Sequence, residues 1–144
     1  MTETETEATP SGRLPAPTVW PGLSYVNAPD AIRFLGDAFG FVEALVVPGE
    51  GTDEVVHAEL RWPEGGGVML NTAGGDGEVH FTPPGAGSVY VVTDSPDAVA
   101  ERAAAAGAGA EIVRAVRDED YGSRGFVARD PEGNLWSFGT YRGA

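Results

Sequence analysis

The chain has 144 residues and a hydrophobic content of 42%, which is enough to build one folded core. Its formal net charge of −13 would repel nucleic acid, so a nucleic-acid partner is excluded. Cysteine is absent, which excludes disulfides, thiolate catalysis and zinc-thiolate sites.

Residues 1–17 are polar, acidic and proline-containing, so they are predicted to form a disordered or loosely docked tail. Their composition is not typical of a signal peptide. No apolar run approaches the ~20 residues that span a bilayer. We therefore expect a cytoplasmic protein without membrane contact, with a single domain at residues 18–144.

The first half of this domain is predicted to form a strand, a helix and three further strands. Residues 19–26 have strand character. Asn27 and Pro29 are typical of a helix start, apolar residues then recur at helical spacing, and Gly40 is typical of a helix end. Strands are predicted at residues 41–47, 55–62 and 67–72. Together these elements form a first module at about residues 18–73.

The second half repeats this order after a linker rich in glycine and proline at about residues 74–87. The second module, at about residues 88–141, begins with a strand at residues 88–93 and a helix that ends near Ala106. Three more strands are predicted at residues 111–117, 123–129 and 135–141.

A short sequence match supports an internal repeat. Residues 29–32 (Pro-Asp-Ala-Ile) match residues 96–99 (Pro-Asp-Ala-Val) at an offset of 67, and the same offset carries Gly40 onto Gly107. A module of one sheet and one helix leaves a sheet face bare, so two modules must pair to close a core or a cavity.

The paired modules, the strand His57-Ala58-Glu59-Leu60 and the closing turn and strand at residues 130–136 (Asp-Pro-Glu-Gly-Asn-Leu-Trp) resemble the vicinal oxygen chelate superfamily. That superfamily includes glyoxalases, extradiol dioxygenases, fosfomycin-modifying enzymes and bleomycin-resistance proteins. The resemblance implies an α+β fold. In it two paired βαβββ modules form a curved mixed sheet with a concave cavity, and the helices lie on the outer face.

The resemblance also implies where a divalent metal would be held. The corresponding positions carry Trp20, Asn71, Gly87 and Ser137, whereas the enzymes place His, Gln or Glu at most of them. Trp and Gly offer no metal ligand, and Ser and Asn are weak ones. We therefore expect no metal and no cofactor, and the chain is most similar to the metal-free, bleomycin-resistance-like binding proteins, which are dimers.

The predicted function is metal-independent binding of a small molecule, such as an antibiotic or another planar natural product, by a homodimer. The ligand is expected to be aromatic or cationic. The residues at the metal positions favour a binding protein over an enzyme. The candidate ligand-binding residues are Trp20, His57, Glu59, Asn71, Arg124, Ser137 and Tyr141.

Two alternatives stay open at this point. In the first, the chain is a lyase, isomerase or dioxygenase of the superfamily, with a non-standard site in which His57 and Glu59 act as base and orienting group. Glu78 and His80 repeat their spacing and could complete an alternative metal site with them. In the second, the chain is an interaction module whose cavity is filled by Trp20. Polar alternation alone also explains His57 and Glu59, as a solvated strand face.

Overall fold

The computed structural model describes residues 16–51, 53–74, 83–106 and 109–144. Most of the predicted tail, the centre of the linker, Glu78, His80 and Gly107 lie outside the described residues. In the described ranges no helix is long and apolar enough to cross a membrane.

The first half of the chain forms a mixed four-stranded sheet and one helical segment. Its elements are β1 (Gly22–Tyr25), α1 (Ala28–Phe34), a π-helical turn (Leu35–Phe39), β2 (Val42–Pro48), β3 (Val55–Arg61) and β4 (Gly67–Thr72). The strand order in the sheet is β1-β4-β3-β2, in which β1 runs parallel to β4 and the other neighbours are antiparallel.

The second half repeats this topology. Its elements are β5 (Ser88–Val92), α2 (Pro96–Ala106), β6 (Glu111–Asp118), β7 (Arg124–Arg129) and β8 (Leu135–Gly139). The strand order is β5-β8-β7-β6, with β5 parallel to β8 and the other neighbours antiparallel. The α+β class and the paired modules are thus confirmed, and the described residues form two separate sheets of four strands each.

Helix α1 begins and ends where the sequence predicts. The Asn27 side chain accepts a hydrogen bond from the backbone N–H of Asp30, and Gly40, with φ of 99°, ends the helical segment. The last turn is a π-helix, which the apolar spacing did not indicate. Its wider winding lets the N–H groups of Gly40 and Phe41 both reach the carbonyl of Leu35, at 3.2 Å each.

Aromatic side chains join the two modules in one core. The ring of Phe39, from the π-helical turn, lies 5.6 Å from that of Trp136 and 4.7 Å from that of Phe138. Trp62 lies 5.7 Å from Phe138, and its indole N–H donates to the carbonyl of Val92 at 2.9 Å. Trp62, Trp136 and Phe138 are all buried in this core.

The helices cover one face of each sheet and leave the opposite face open. In β3, Ala58 and Leu60 are buried on the covered face, whereas His57 and Glu59, which alternate with them, are partly exposed. Because side chains alternate along a strand, this pattern and the pairing register assign the paired residues to one face or the other.

Candidate functional site

The partly exposed sheet faces are the candidate site. We call them the first open face, on the first sheet, and the second open face, on the second sheet. By strand register, the first open face carries Leu45, Val47, His57, Glu59, Arg61 and Asn71. The second open face carries Tyr90, Arg114, Val127, Arg129, Ser137 and Gly139.

Trp20 lies on the first open face, as strand parity predicts. A Cβ added to Gly67 would clash with the Leu60 carbonyl oxygen and come within 2.8 Å of the indole atom Cζ3, so the glycine allows both the backbone and this ring to approach closely. The guanidinium carbon of Arg61 lies 5.9 Å from the indole centroid, within reach of a cation–π contact. The result is a flat aromatic surface fixed at the edge of the sheet.

Two polar pairs lie on the same face. The imidazole Nε2 of His57 lies 2.8 Å from Glu59 Oε2. The hydroxyl of Ser24 donates to Asn71 Oδ1 at 3.0 Å. The structure therefore brings four of the predicted site residues, Trp20, His57, Glu59 and Asn71, to one surface.

Ser137 and Tyr141 belong to the second open face. Ser137 lies in register with Tyr90 of β5, and the Tyr90 hydroxyl donates to the backbone carbonyl of Tyr141 at 2.8 Å. The ring of Tyr141 meets that of Tyr121 edge to face at 5.8 Å. Tyr90, which is about half exposed, was absent from the predicted site although its alternation with Val89 and Val91 would have indicated it.

Arg124 lies apart from both open faces. Its guanidinium binds the Asp97 carboxylate of α2 through two hydrogen bonds, at 2.8 and 2.9 Å, and contacts Asp118. These two carboxylates raise the pKa of Arg124, and the arginine in turn lowers the pKa of Asp97. The arginine joins α2 to the sheet on the covered side.

The structure corrects the offset between the two halves for the strands. Leu23 and Val91 share the covered face, as do Leu70 and Phe138, and both pairs are 68 residues apart rather than 67. A shift of one residue reverses the face of every strand side chain. The counterpart of Trp20 is therefore Ser88. Gly87 lies next to it, and a Cβ there would point at Leu23 and Asn134, away from an open face.

The family model of the Glyoxalase/Bleomycin resistance protein/Dioxygenase superfamily matches residues 20–138. The chain belongs to this superfamily. Among solved structures it is similar to TioX from Micromonospora sp. ML1, with 34% identity and a TM-score of 0.69 over 82% of this chain and 93% of that one. It is 36% identical over 132 residues to the uncharacterized protein Mb0911c of Mycobacterium bovis, covering 85% of this chain and 82% of that protein. A glyoxalase/bleomycin resistance protein from Streptomyces sp. CB03234 shares the fold, at 20% identity and a TM-score of 0.58, over 81% of this chain and 94% of that one.

Some members of this superfamily hold a divalent metal, and the residues at the corresponding positions here do not fit one. Asn71 Oδ1 already accepts the Ser24 hydroxyl, Gly87 has no side chain, and Trp20 has no ligating atom. If Ser88 is taken as the corresponding position instead of Gly87, it adds only a weak hydroxyl ligand to that of Ser137. Within the described residues no group of three or more His, Asp or Glu side chains could hold a metal ion.

The superfamily's closing signature instead has a structural task here. The buried carboxylate of Asp130 accepts hydrogen bonds from the Tyr25 hydroxyl at 2.7 Å and from the Trp136 indole N–H at 3.1 Å. It also accepts the backbone N–H of Glu132 and of Asn134, at 3.0 Å each, and the Asn134 side-chain amide at 3.1 Å. Five donors from both modules thus converge on one carboxylate.

Glu132 adds a second link between the modules at the same turn. Its carboxylate accepts the backbone N–H groups of Val26 and Asn27, at 2.7 and 2.8 Å, where β1 leads into α1. These two donors have no partner in a strand or helix, so the glutamate satisfies them. The turn at residues 130–133 therefore fixes the start of the first helix.

Tyr25 gives this junction a pH dependence. Burial, followed by the Asp130 carboxylate, raises the pKa of Tyr25 well above its usual value of about 10. Above about pH 10 the unfolded chain releases this proton and the folded chain keeps it. The contribution to stability is therefore complete below that pH and is lost as the pH rises, by up to about 1.4 kcal/mol per pH unit.

We expect Tyr25→Phe to lower stability at neutral pH and to flatten the alkaline loss. Urea unfolding of both proteins at pH 8, 10 and 11 measures how steeply the free energy of unfolding falls with pH in each. Lysine titration does not interfere, because the chain contains no lysine. Parallel slopes for the two proteins would contradict the assignment to Tyr25.

Proposed function

We propose that this protein binds a planar small molecule, such as an antibiotic or another planar natural product, without a metal. The observation that carries the proposal is the partly exposed indole of Trp20 on the first open face, which lies against Gly67 and within reach of the Arg61 guanidinium. Aromatic surfaces of this kind stack planar ligands, and a few fixed polar groups then orient them. The pairs His57–Glu59 and Ser24–Asn71 on the same face supply such groups.

The charges favour an aromatic ligand over a cationic one. The second open face carries Arg114, Arg117 and Arg129, of which Arg117 pairs with Glu119 and Arg129 with Glu111. Arg61 adds a further positive charge beside Trp20 on the first open face. Glu59 on the first open face offsets one of these four arginines, as Glu111 and Glu119 offset two others. A cation between these surfaces would therefore meet a small excess of positive charge.

We also propose that the active form is a homodimer. Val42, Leu45 and Val47 on the first open face and Tyr90 on the second are 39–54% exposed in the single chain. In the described part of the chain no hydrogen bond, ion pair or aromatic contact joins the first open face to the second. A second copy that lays its second open face over the first would cover this apolar surface and enclose the ligand.

Intrinsic fluorescence tests the binding proposal, because Trp62 and Trp136 are buried and Trp20 is the accessible indole. Three planar tricyclic probes of different charge separate shape from charge: phenazine (neutral), 9-aminoacridine (cationic) and anthraquinone-2-sulfonate (anionic). We expect Trp20 to be quenched by the neutral or anionic probe, with a Kd on the order of micromolar.

By calorimetry, Trp20→Ala should weaken this binding by about tenfold or more, whereas Trp20→Phe should retain most of it. Sedimentation should give twice the chain mass of 14.9 kDa. No binding of any probe at 100 µM, as an order of magnitude for weak ligands, or equal binding by Trp20→Ala, would contradict the proposal. A monomer that still binds would contradict the dimer only.

The His57–Glu59 contact favours a second candidate function, an enzyme of the superfamily. A carboxylate that orients an imidazole is the usual arrangement of a general base. Metal analysis of protein purified without chelators, and chromatography of the bound ligand after incubation, separate the two functions. A stoichiometric divalent ion or a chemically altered ligand would favour the enzyme.

Location in the cytoplasm stays a prediction.

A further inference from the structure

A cavity lies on the helix side of the molecule, separate from both open faces. It has a volume of about 430 Å³, opens to solvent and is lined by residues of α1, the π-helical turn and the turn at residues 130–133. Volumes of about 300–1,000 Å³ are typical of small-molecule sites. Because α1 comes from the first module and the turn from the second, the cavity spans the junction between them.

The walls of the cavity are mainly apolar. The ring of Phe34 and the side chains of Ala31 and Pro131 line it, with Tyr25 at its inner end. Tyr25 directs its hydroxyl to Asp130, so it offers the cavity its ring rather than a free polar group. Such walls suit a small aryl or alkyl body.

Four carboxylates (Asp30, Asp37, Asp130 and Glu132) and the guanidinium of Arg33 line the cavity, and the carboxylates differ in what they already bind. Asp130 already accepts five hydrogen bonds. Asp30 pairs with Arg33 and accepts the Asn27 amide, and Glu132 accepts two backbone N–H groups. The Asp37 carboxylate makes no hydrogen bond or ion pair with any described residue. A ligand that binds Asp37 therefore breaks no hydrogen bond or ion pair between that carboxylate and a described residue.

The π-helical turn places Asp37 at this cavity. Leu35, Ala38 and Phe39 of the same turn are buried in the core, while Asp37 lines the cavity. The backbone carbonyls of Gly36 and Asp37 are held by the guanidinium of Arg102, at 3.1 and 3.0 Å. Single π-helical turns occur often at functional sites because they redirect individual side chains.

We propose that this cavity binds a small primary amine in its ammonium form. The ammonium group pairs with the Asp37 carboxylate, and its aryl or alkyl body packs on Phe34, Ala31 and Pro131. Arg33 in the lining offsets the charge of Asp30, but Asp130 and Glu132 leave the surroundings negative, which adds to the attraction of a cation and disfavours an anion of the same shape. Since the ligand would contact both modules, its binding also stabilises their junction.

The test compares three probes of nearly equal shape: 2-phenylethylamine, 2-phenylethanol and phenylacetate. At pH 7 and about 0.15 M salt, which screens the attraction of cations to the acidic surface as a whole, NMR titration of the alanine methyl groups follows binding at Ala31. We expect 2-phenylethylamine to bind about tenfold or more tightly than either of the other probes and to raise the thermal midpoint.

Matched variants locate the site. Asp37→Asn should weaken amine binding by about tenfold, whereas Asp120→Asn, at an exposed acid without a described partner, should leave it unchanged. Trp20→Ala should also leave it unchanged, so failure of this site and failure of the proposed function are distinguishable. Equal binding of the three probes, no binding of the amine at concentrations on the order of 10 mM, or unchanged binding by Asp37→Asn would overturn the proposal.

Discussion

Replacing Asp130 by asparagine is expected to lower the free energy of unfolding by about 3–4 kcal/mol. The substitution keeps the shape of the side chain but turns one carboxylate oxygen into an amide nitrogen. Oδ2 accepts three donors, from Tyr25, Asn134 and Trp136, and Oδ1 accepts two backbone N–H groups. Whichever way the amide turns, at least two buried donors face an N–H₂ group and lose their acceptor.

Urea unfolding followed by far-UV circular dichroism measures this loss. Asp120→Asn makes the same chemical change at an exposed position in a turn and should alter stability by less than about 0.5 kcal/mol. A loss below about 1 kcal/mol in Asp130→Asn would show that the five hydrogen bonds to this carboxylate contribute little to stability.

Truncation of Phe138 to alanine should cost about 3–5 kcal/mol. The ring is buried, stacks on Phe126 at 5.2 Å and contacts Phe39 and Trp62. Phe39 and Trp62 belong to the first module and Phe138 to the second. Removing the ring leaves a cavity at their junction, so both modules should lose stability together.

The measurement is unfolding followed by two probes, far-UV circular dichroism for the backbone and fluorescence of the buried Trp62 and Trp136. In Phe138→Ala the urea midpoints reported by the two probes should fall by the same amount, and each probe should show a single transition. Tyr121→Ala, which removes an exposed aromatic ring, should change stability by less than about 1 kcal/mol. Separate transitions for the two probes would contradict a shared core.

Local signals in the sequence predicted most of the fold. The Asn27 cap and Gly40 mark the helix of the first module. Alternating and continuous apolar runs predicted the eight strands of the described residues, with small differences at their ends. The first strand begins at Gly22 rather than at residue 19. Pro21 has no N–H for a ladder, which accounts for the later start. The Asp-Pro-Glu-Gly-Asn signature correctly indicated the family.

The candidate site was predicted less completely. Alternation paired His57 with Glu59 on one strand face, and the structure shows that Trp20 and Asn71 lie on the same face of the sheet. It separates Ser137 and Tyr141 onto the other sheet, and it shows Arg124 tied to Asp97 on the helix side. A single sequence cannot indicate such pairings, because residues 27 positions apart meet only through the packing of α2 on its sheet.

The sequence by itself determined the elements, their order, their repetition and the poor donor set at the metal positions, because these depend on residue type and local spacing. Only the tertiary structure decided which faces are open and that equivalent strand residues of the two modules are 68 positions apart rather than 67. It also decided that Asp37 lines an apolar cavity at the junction of the modules. Those features depend on register and on helix winding. A shift of one residue, which local spacing barely records, reverses the face of a strand or redirects a side chain.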